Sequence, residues 1–140
     1  MLDRFTQAER SRIMRLVKGK NTEPEITVRK MLHDLGFRFR LYRDDLPGKP
    51  DIVLPRWKAV IFVNGCFWHQ HAGCSRAARP RSNARFWNRK LDRNVVRDHQ
   101  NVRRLRADGW RTITLWECRI KDTPALRQKL ERFIRKARPC

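Results

Sequence analysis

Read as a succession of apolar and polar positions, the chain divides into stretches of helical and of strand period. Val28, Met31, Leu32 and Leu35 recur at the i, i+3, i+4, i+7 spacing of one helix face. Thr22 and Glu25 ahead of them form a capping-box pattern, Pro24 is tolerated in the first turn, and Gly36 stops the helix. Thr6 and Glu9 repeat the pattern and predict a basic helix over residues 7–18. In FRFRLYR, residues 37–43, Phe37, Phe39 and Leu41 alternate with polar neighbours, which predicts a half-buried strand. LPGKP (46–50) reads as a turn, DIVL (51–54) as a short apolar strand, and KAVIFV (58–63) as a central strand buried on both faces. These three strands form an antiparallel meander. A long helix over 83–107 ends near Gly109, and RTITLW (111–116) is another strand. A helix between two strands implies a crossover, so 58–63 and 111–116 are expected to run parallel. Thr123 and Pro124 open a last helix that buries Leu126, Leu130, Phe133 and Ile134. The order α-α-βββ-α-β-α describes an α/β protein: one domain over residues 1–140, a mixed sheet flanked by helices.

Charge narrows the class of partner. The 140 residues carry 34 Lys+Arg against 14 Asp+Glu, a formal net charge of +20. Such an excess points to a polyanion, with nucleic acid the first candidate, although small basic proteins without any chemistry share this balance. No apolar run is long enough to span a bilayer, and MLDRFTQAERSR has no signal-peptide core, so no membrane role and a cytoplasmic location are expected. In a reducing compartment a Cys/His cluster binds metal more often than it forms disulfides.

Such a cluster is present. Cys66, His71 and Cys74 read C-x4-H-x2-C, three of the four N/S ligands that zinc takes in a tetrahedral site. Cys118 lies just past strand 111–116 and Cys66 just past strand 58–63. Parallel neighbours end at the same sheet edge, so Cys118 is the expected fourth ligand, and Cys140 at the chain end is left free. A site filled by four protein ligands is structural, with no open position for catalysis. Buried unliganded thiols are the alternative.

A second constellation carries hydrolytic chemistry. Asp51 follows Pro50 at a strand start, where it can hold one Mg²⁺, with the backbone carbonyl of Val63 as a second ligand; phosphate and water complete such an octahedron. His69, the histidine that zinc does not need, suits a general base, and its alternatives are a surface imidazole or a zinc ligand in place of His71. Glu25 can close the capping box and still reach metal-bound water.

Taken together, RSRIMRLVKGKNTEPE, LPGKPDIVL, VIFVNGCFWHQHAGC, FWNRKLDRNVVRD and GWRTITLWEC resemble the very-short-patch repair (Vsr) mismatch endonuclease family over nearly the whole chain. The resemblance implies a restriction-endonuclease-like fold with a structural zinc. The implied activity is nicking of double-stranded DNA beside the thymine of a T:G mismatch left by deamination of 5-methylcytosine. It further implies Asp51 as the Mg²⁺ ligand, His69 as general base and Glu25 as an acid that organises metal-bound water. Cys66, His71, Cys74 and Cys118 fall on the zinc ligands, as the strand ends also indicate. Phe67, Trp68 and Trp87 resemble an aromatic wedge that enters the base stack, and the helix around Met14 resembles an element that clamps the opposite groove. A coupling protein of the MutL type is a suggested partner, and nicking one strand needs only a monomer.

The chain departs from the family pattern in three places. Asn64 stands where a His often precedes the Gly of GCFWH; an amide hydrogen-bonds water but does not exchange protons near neutral pH. Val63 replaces a hydroxyl residue, which is harmless if only its carbonyl is used. HQHAGC carries one extra residue in the knuckle. With no acid-x-Lys triplet present, two rival readings remain: a zinc-stabilised DNA-binding module impaired in catalysis, and a nickase of the same fold with broader specificity.

Overall fold

The computed structural model describes residues 21–136. The helix expected over 7–18, with Met14 in it, and Cys140 lie outside the described residues. The chain runs α1 (Glu23–Asp34), β1 (Arg40–Leu41), β2 (Ile52–Leu54), β3 (Ala59–Asn64), α2 (Ala84–Ala107), β4 (Arg111–Trp116) and α3 (Pro124–Arg135). The four strands form one sheet in the order β1-β2-β3-β4; β1 and β2 are antiparallel, as are β2 and β3, and β3 and β4 are parallel across the α2 crossover.

Local chemistry accounts for the helix ends. The Thr22 hydroxyl accepts a hydrogen bond from the Glu25 N–H at 3.4 Å, and Pro24 sits in the first turn. Glu25 returns its carboxylate to the Asn21 N–H at 3.3 Å, one residue before the capping position. At the far end Gly36 takes φ +85°. Its N–H reaches the His33 carbonyl while the Phe37 N–H reaches that of Leu32, each at 3.0 Å. This paired closure needs a left-handed residue at Gly36. Thr123 caps α3 by accepting from the Leu126 N–H at 3.2 Å, and Arg111 at the start of β4 covers the other end by donating to the Phe133 and Ile134 carbonyls.

Strand alternation sorts the core into two faces. Ile52, Leu54, Ala59, Ile61 and Leu115 pack with Val28, Met31 and Leu32 of α1 and Leu130 and Ile134 of α3. Val53 and Val60 point the other way, to Leu105 of α2, with Phe62 and Trp110 beside them. The sheet is therefore the middle of three layers, with α1 and α3 on one face and α2 on the other. The expected strand 37–43 shrinks to Arg40–Leu41. Phe37 is spent closing α1 and packs edge-on against Trp57 at 5.9 Å, Leu41 is exposed, and Tyr42 takes φ +51°, which ends extended pairing.

Candidate active site and metal centre

Register places both candidate centres at one edge of the sheet. In the parallel ladder Asn64 of β3 lies beside Trp116 of β4, so Cys66 and Cys118 each follow their strand by two residues. With His71 and Cys74 they bring four ligand atoms within 4.8 Å of one another. Tetrahedral zinc with ordinary bond lengths separates two sulfurs by about 3.8 Å and a sulfur from a nitrogen by about 3.6 Å. Here Cys74 and Cys118 Sγ are 3.9 Å apart, and His71 Nδ1 lies 3.6 Å from Cys66 Sγ and 3.4 Å from Cys118 Sγ. The donor set and its spacing fit a tetrahedral metal ion. Burial pushes the Cys66 thiol up to about 12, so holding it as thiolate calls for a compensating cation.

Several contacts set the loop that carries these ligands. Trp116 stacks on the His71 ring at 4.3 Å with 9° between planes. The Cys66 N–H donates to the Glu117 carboxylate at 3.1 Å, which ties the β3 and β4 ends together. Gln70, at φ +51°, donates through its side chain to the carbonyls of Phe67 (2.6 Å) and Ala77 (3.2 Å) and accepts from Arg79 (2.9 Å).

Beside the knuckle opens a cleft of about 1000 Å³, lined by Glu25, Asp51, Val63, Asn64, His69 and Asp98 among others. Asp51 immediately precedes β2, and its Oδ2 accepts a hydrogen bond of 2.7 Å from the Val63 N–H. Desolvation raises its pKa from 3.8 to about 6; the Val63 N–H opposes the shift, Glu25 adds to it and His69 opposes it. A buried acid with a second carboxylate in the same cleft makes a fitting seat for a divalent cation.

Glu25 is buried to 3% exposure, and every hydrogen bond it receives from described side chains falls on Oε2: Arg29 donates at 3.0 Å and the Tyr42 hydroxyl donates as well. The Tyr42 N–H also donates to the Asp51 carbonyl at 3.3 Å, so one residue touches both acids. Burial raises the Tyr42 pKa, and the bond to Glu25 raises it further.

His69 is half-buried at the cleft wall, with Nδ1 2.6 Å from Asp98 Oδ2. An Nδ1–H donated to the carboxylate fixes the tautomer whose Nε2 accepts protons. Asp98 was not legible as a site residue from spacing in any motif. One signal was available: it falls with Trp87, Leu91, Asn94, Asn101 and Leu105 at the i+3/i+4 repeat of the covered face of α2, where an acid is out of place unless paired.

The aromatic set is brought together but is not presented as expected. Phe67 and Trp87 are 1% and 5% exposed and pack with Leu91, their rings 5.7 Å apart. Trp68 is half-buried against both, and its carbonyl accepts from the Asn94 amide at 3.1 Å. Tight turns over 65–69 send Phe67 inward and leave Trp68 partly exposed. Phe86, half exposed and edge-on to Trp87 at 5.3 Å, is an addition. Lys49 and Lys90 supply positive charge at the cleft mouth.

Residues 2–76 match the family profile described as "DNA mismatch endonuclease Vsr". The chain is 44% identical over 134 residues to the type II nicking enzyme V.XorIIP of Xanthomonas oryzae pv. oryzae, covering 96% of this chain and 98% of that one. It is 36% identical over 139 residues to the DNA mismatch endonuclease Vsr of Escherichia coli, covering 96% of this chain and 88% of the other. The homing endonuclease I-Bth0305I catalytic domain superposes with a TM-score of 0.58 at 20% identity, covering 83% of this chain and 97% of that one. The structural likeness carries the fold, a restriction-endonuclease-like core. By the sequence matches, the chain is an endonuclease and belongs to the Vsr family of DNA mismatch endonucleases.

Proposed function

We propose that this protein nicks one strand of duplex DNA beside the thymine of a T:G mispair, with Mg²⁺ as its catalytic ion and zinc in the knuckle. The observation that carries the reading is the convergence of Asp51, Glu25 and the Asp98-braced His69 in one cleft beside an aromatic cluster. Asp51 and the Val63 carbonyl would hold Mg²⁺, which when bound stabilises negative charge on the phosphate and the leaving oxygen. His69 Nε2 takes a proton from the attacking water; the water oxygen joins phosphorus and one phosphodiester P–O bond breaks. Asp98 holds the imidazole in place and offsets the charge it gains. Glu25, anchored by Arg29 and Tyr42, orients water in the cleft. Asn64, buried at the end of β3, positions water without exchanging protons.

Zinc held by Cys66, His71, Cys74 and Cys118 fixes the loop that bears His69 and Trp68. Trp68 leads the wedge, backed by Phe67 and Trp87; unstacking costs a few kcal/mol and costs least at a mispair, which favours T:G over paired sites. The segment around Met14 would clamp the opposite groove, and a MutL-type coupling protein is a candidate partner of a monomeric, cytoplasmic enzyme. No described helix is long and apolar enough to cross a membrane.

The test is strand-specific cleavage of a panel of mispairs, with and without Mg²⁺, by the parent and by Asp51→Ala and His69→Ala. Nicking at T:G that needs Mg²⁺ and both residues is the expected result. Equal cleavage of matched duplex would leave the broader nickase, and no cleavage at all would leave the binding module.

A further inference from the structure

A second concavity, of about 1160 Å³, lies at the other end of the sheet. It is bordered by the turn between β2 and β3, the segment that follows α1, and the last turn of α3. The six residues of β3 separate that end from Asn64, a span of roughly 17 Å at about 3.3 Å per residue. None of its lining residues borders the catalytic cleft.

Its floor is apolar and aromatic: Phe37, Phe39 and Trp57. Its rim is basic: Arg38, Arg40, Arg56 and Arg135, all exposed, with no Asp or Glu among the lining residues. Arg135 shares its charge with Glu131 at 3.2 Å, whereas no carboxylate among the described residues pairs with Arg38, Arg40 or Arg56. The Arg135 guanidinium lies 5.0 Å from the Phe37 ring centre and 5.8 Å from that of Trp57, and Arg56 lies 5.9 Å from Trp57. Stacking of this kind holds the guanidinium planes flat while their N–H edges stay free for an anion.

Charge selects a polyanion, and the floor selects among polyanions. Duplex DNA keeps its bases inside and offers this surface only phosphates, which leaves the apolar floor unused. An acidic peptide satisfies the rim but brings nothing flat to the rings. An unpaired strand brings both, because its bases stack on aromatic rings and guanidinium planes while its phosphates meet the arginines. The chain's own first twenty residues are an unsuitable occupant, with six Lys/Arg against two acids.

We propose that this cleft is a second DNA site, which holds unpaired nucleotides of a single strand. Nicking produces a strand with a free end, and an end that peels from its duplex supplies such nucleotides.

The test uses the full, zinc-loaded chain and a short oligothymidylate that carries 5-iododeoxyuridine. Ultraviolet crosslinking followed by peptide mapping should place adducts on Phe39 or Trp57. The variant Arg38→Gln/Arg40→Gln/Arg56→Gln changes only exposed side chains. It should bind the oligothymidylate at least tenfold more weakly, with a log–log salt slope smaller by about two, at about 0.7 per phosphate contact for single strands. Nicking of a short mispaired duplex should be unchanged, so failure here is separable from failure of the proposed activity. Adducts confined to Trp68 or Phe86, single-strand affinity unmoved by the variant, or equal loss of duplex and single-strand affinity would each overturn the proposal. Competition by polyglutamate as strong as by the oligothymidylate would overturn it too.

Discussion

Asp51→Asn should make the Mg²⁺-free protein more stable while it abolishes nicking. The Asp51 carboxyl is lifted from 3.8 to about 6 by burial, a displacement worth about 3 kcal/mol of penalty on its ionised form. The native state holds this proton more tightly than the unfolded chain does. Stability is therefore lost as pH rises from about 3.8 through about 6, and the loss is complete above that window. An amide has no charge to desolvate, and its oxygen can still accept from the Val63 N–H. At pH 8, zinc-loaded and without Mg²⁺, urea unfolding should show the variant more stable by about 1–3 kcal/mol, a large share of a total near 5–15 kcal/mol. Added Mg²⁺ should stabilise the parent and leave the variant unmoved, which narrows the gap. An Mg²⁺-free Asp51→Asn protein no more stable than its parent would refute the claim that this acid is held at a cost for the sake of a cation.

Further outcomes are expected from other substitutions. Asp98→Asn should lower the nicking rate by about 100-fold or more, within the range of general-base catalysis, with duplex affinity intact in gel-shift titrations. Tyr42→Phe removes a hydrogen bond to a buried carboxylate and should cost about 1.5–3 kcal/mol in denaturant unfolding, with weaker Mg²⁺ dependence of nicking. Cys118→Ser should release zinc in metal analysis and broaden or abolish the thermal transition, because structural zinc contributes on the order of 10 kcal/mol to small metal-dependent folds. Trp68→Ala should weaken mispair binding by about 1–3 kcal/mol, the value of one stacked base. Phe67→Ala should instead cost about 3–5 kcal/mol of stability, because that ring is buried.

Much of the fold was legible because apolar spacing and caps agreed. Thr22, Gly36, Thr123 and the Val28–Leu32 stripe each did what their chemistry dictates. The four-residue Cys/His cluster was legible through one topological inference: parallel strands end together, so Cys66 meets Cys118 across 52 residues of chain. Alternation misled at Phe37–Leu41, because Phe37 packs as a helix-stop contact and a period-two pattern cannot distinguish that from a strand. Which of Phe67 and Trp68 turns inward was not legible for a similar reason: loop residues carry no period, so the outcome depends on the partner helix, here Trp87 and Leu91. Asp98 and Tyr42 reach the site through contacts 29 and 17 residues away in sequence; the only local sign of Asp98 is its place on the covered face of α2, and Tyr42 has none.

The pairing of β3 with β4 has a bearing on when this protein becomes able to cut. The parallel ladder closes only after the whole crossover helix has been made, and it completes the metal knuckle that carries His69. Long-range closure of this kind comes late, since loop entropy must be overcome before the contacts repay it. A nascent chain released or stalled before residue 118 lacks the last sulfur and the edge that aligns it. On the proposed mechanism, hydrolytic competence therefore requires synthesis past Cys118.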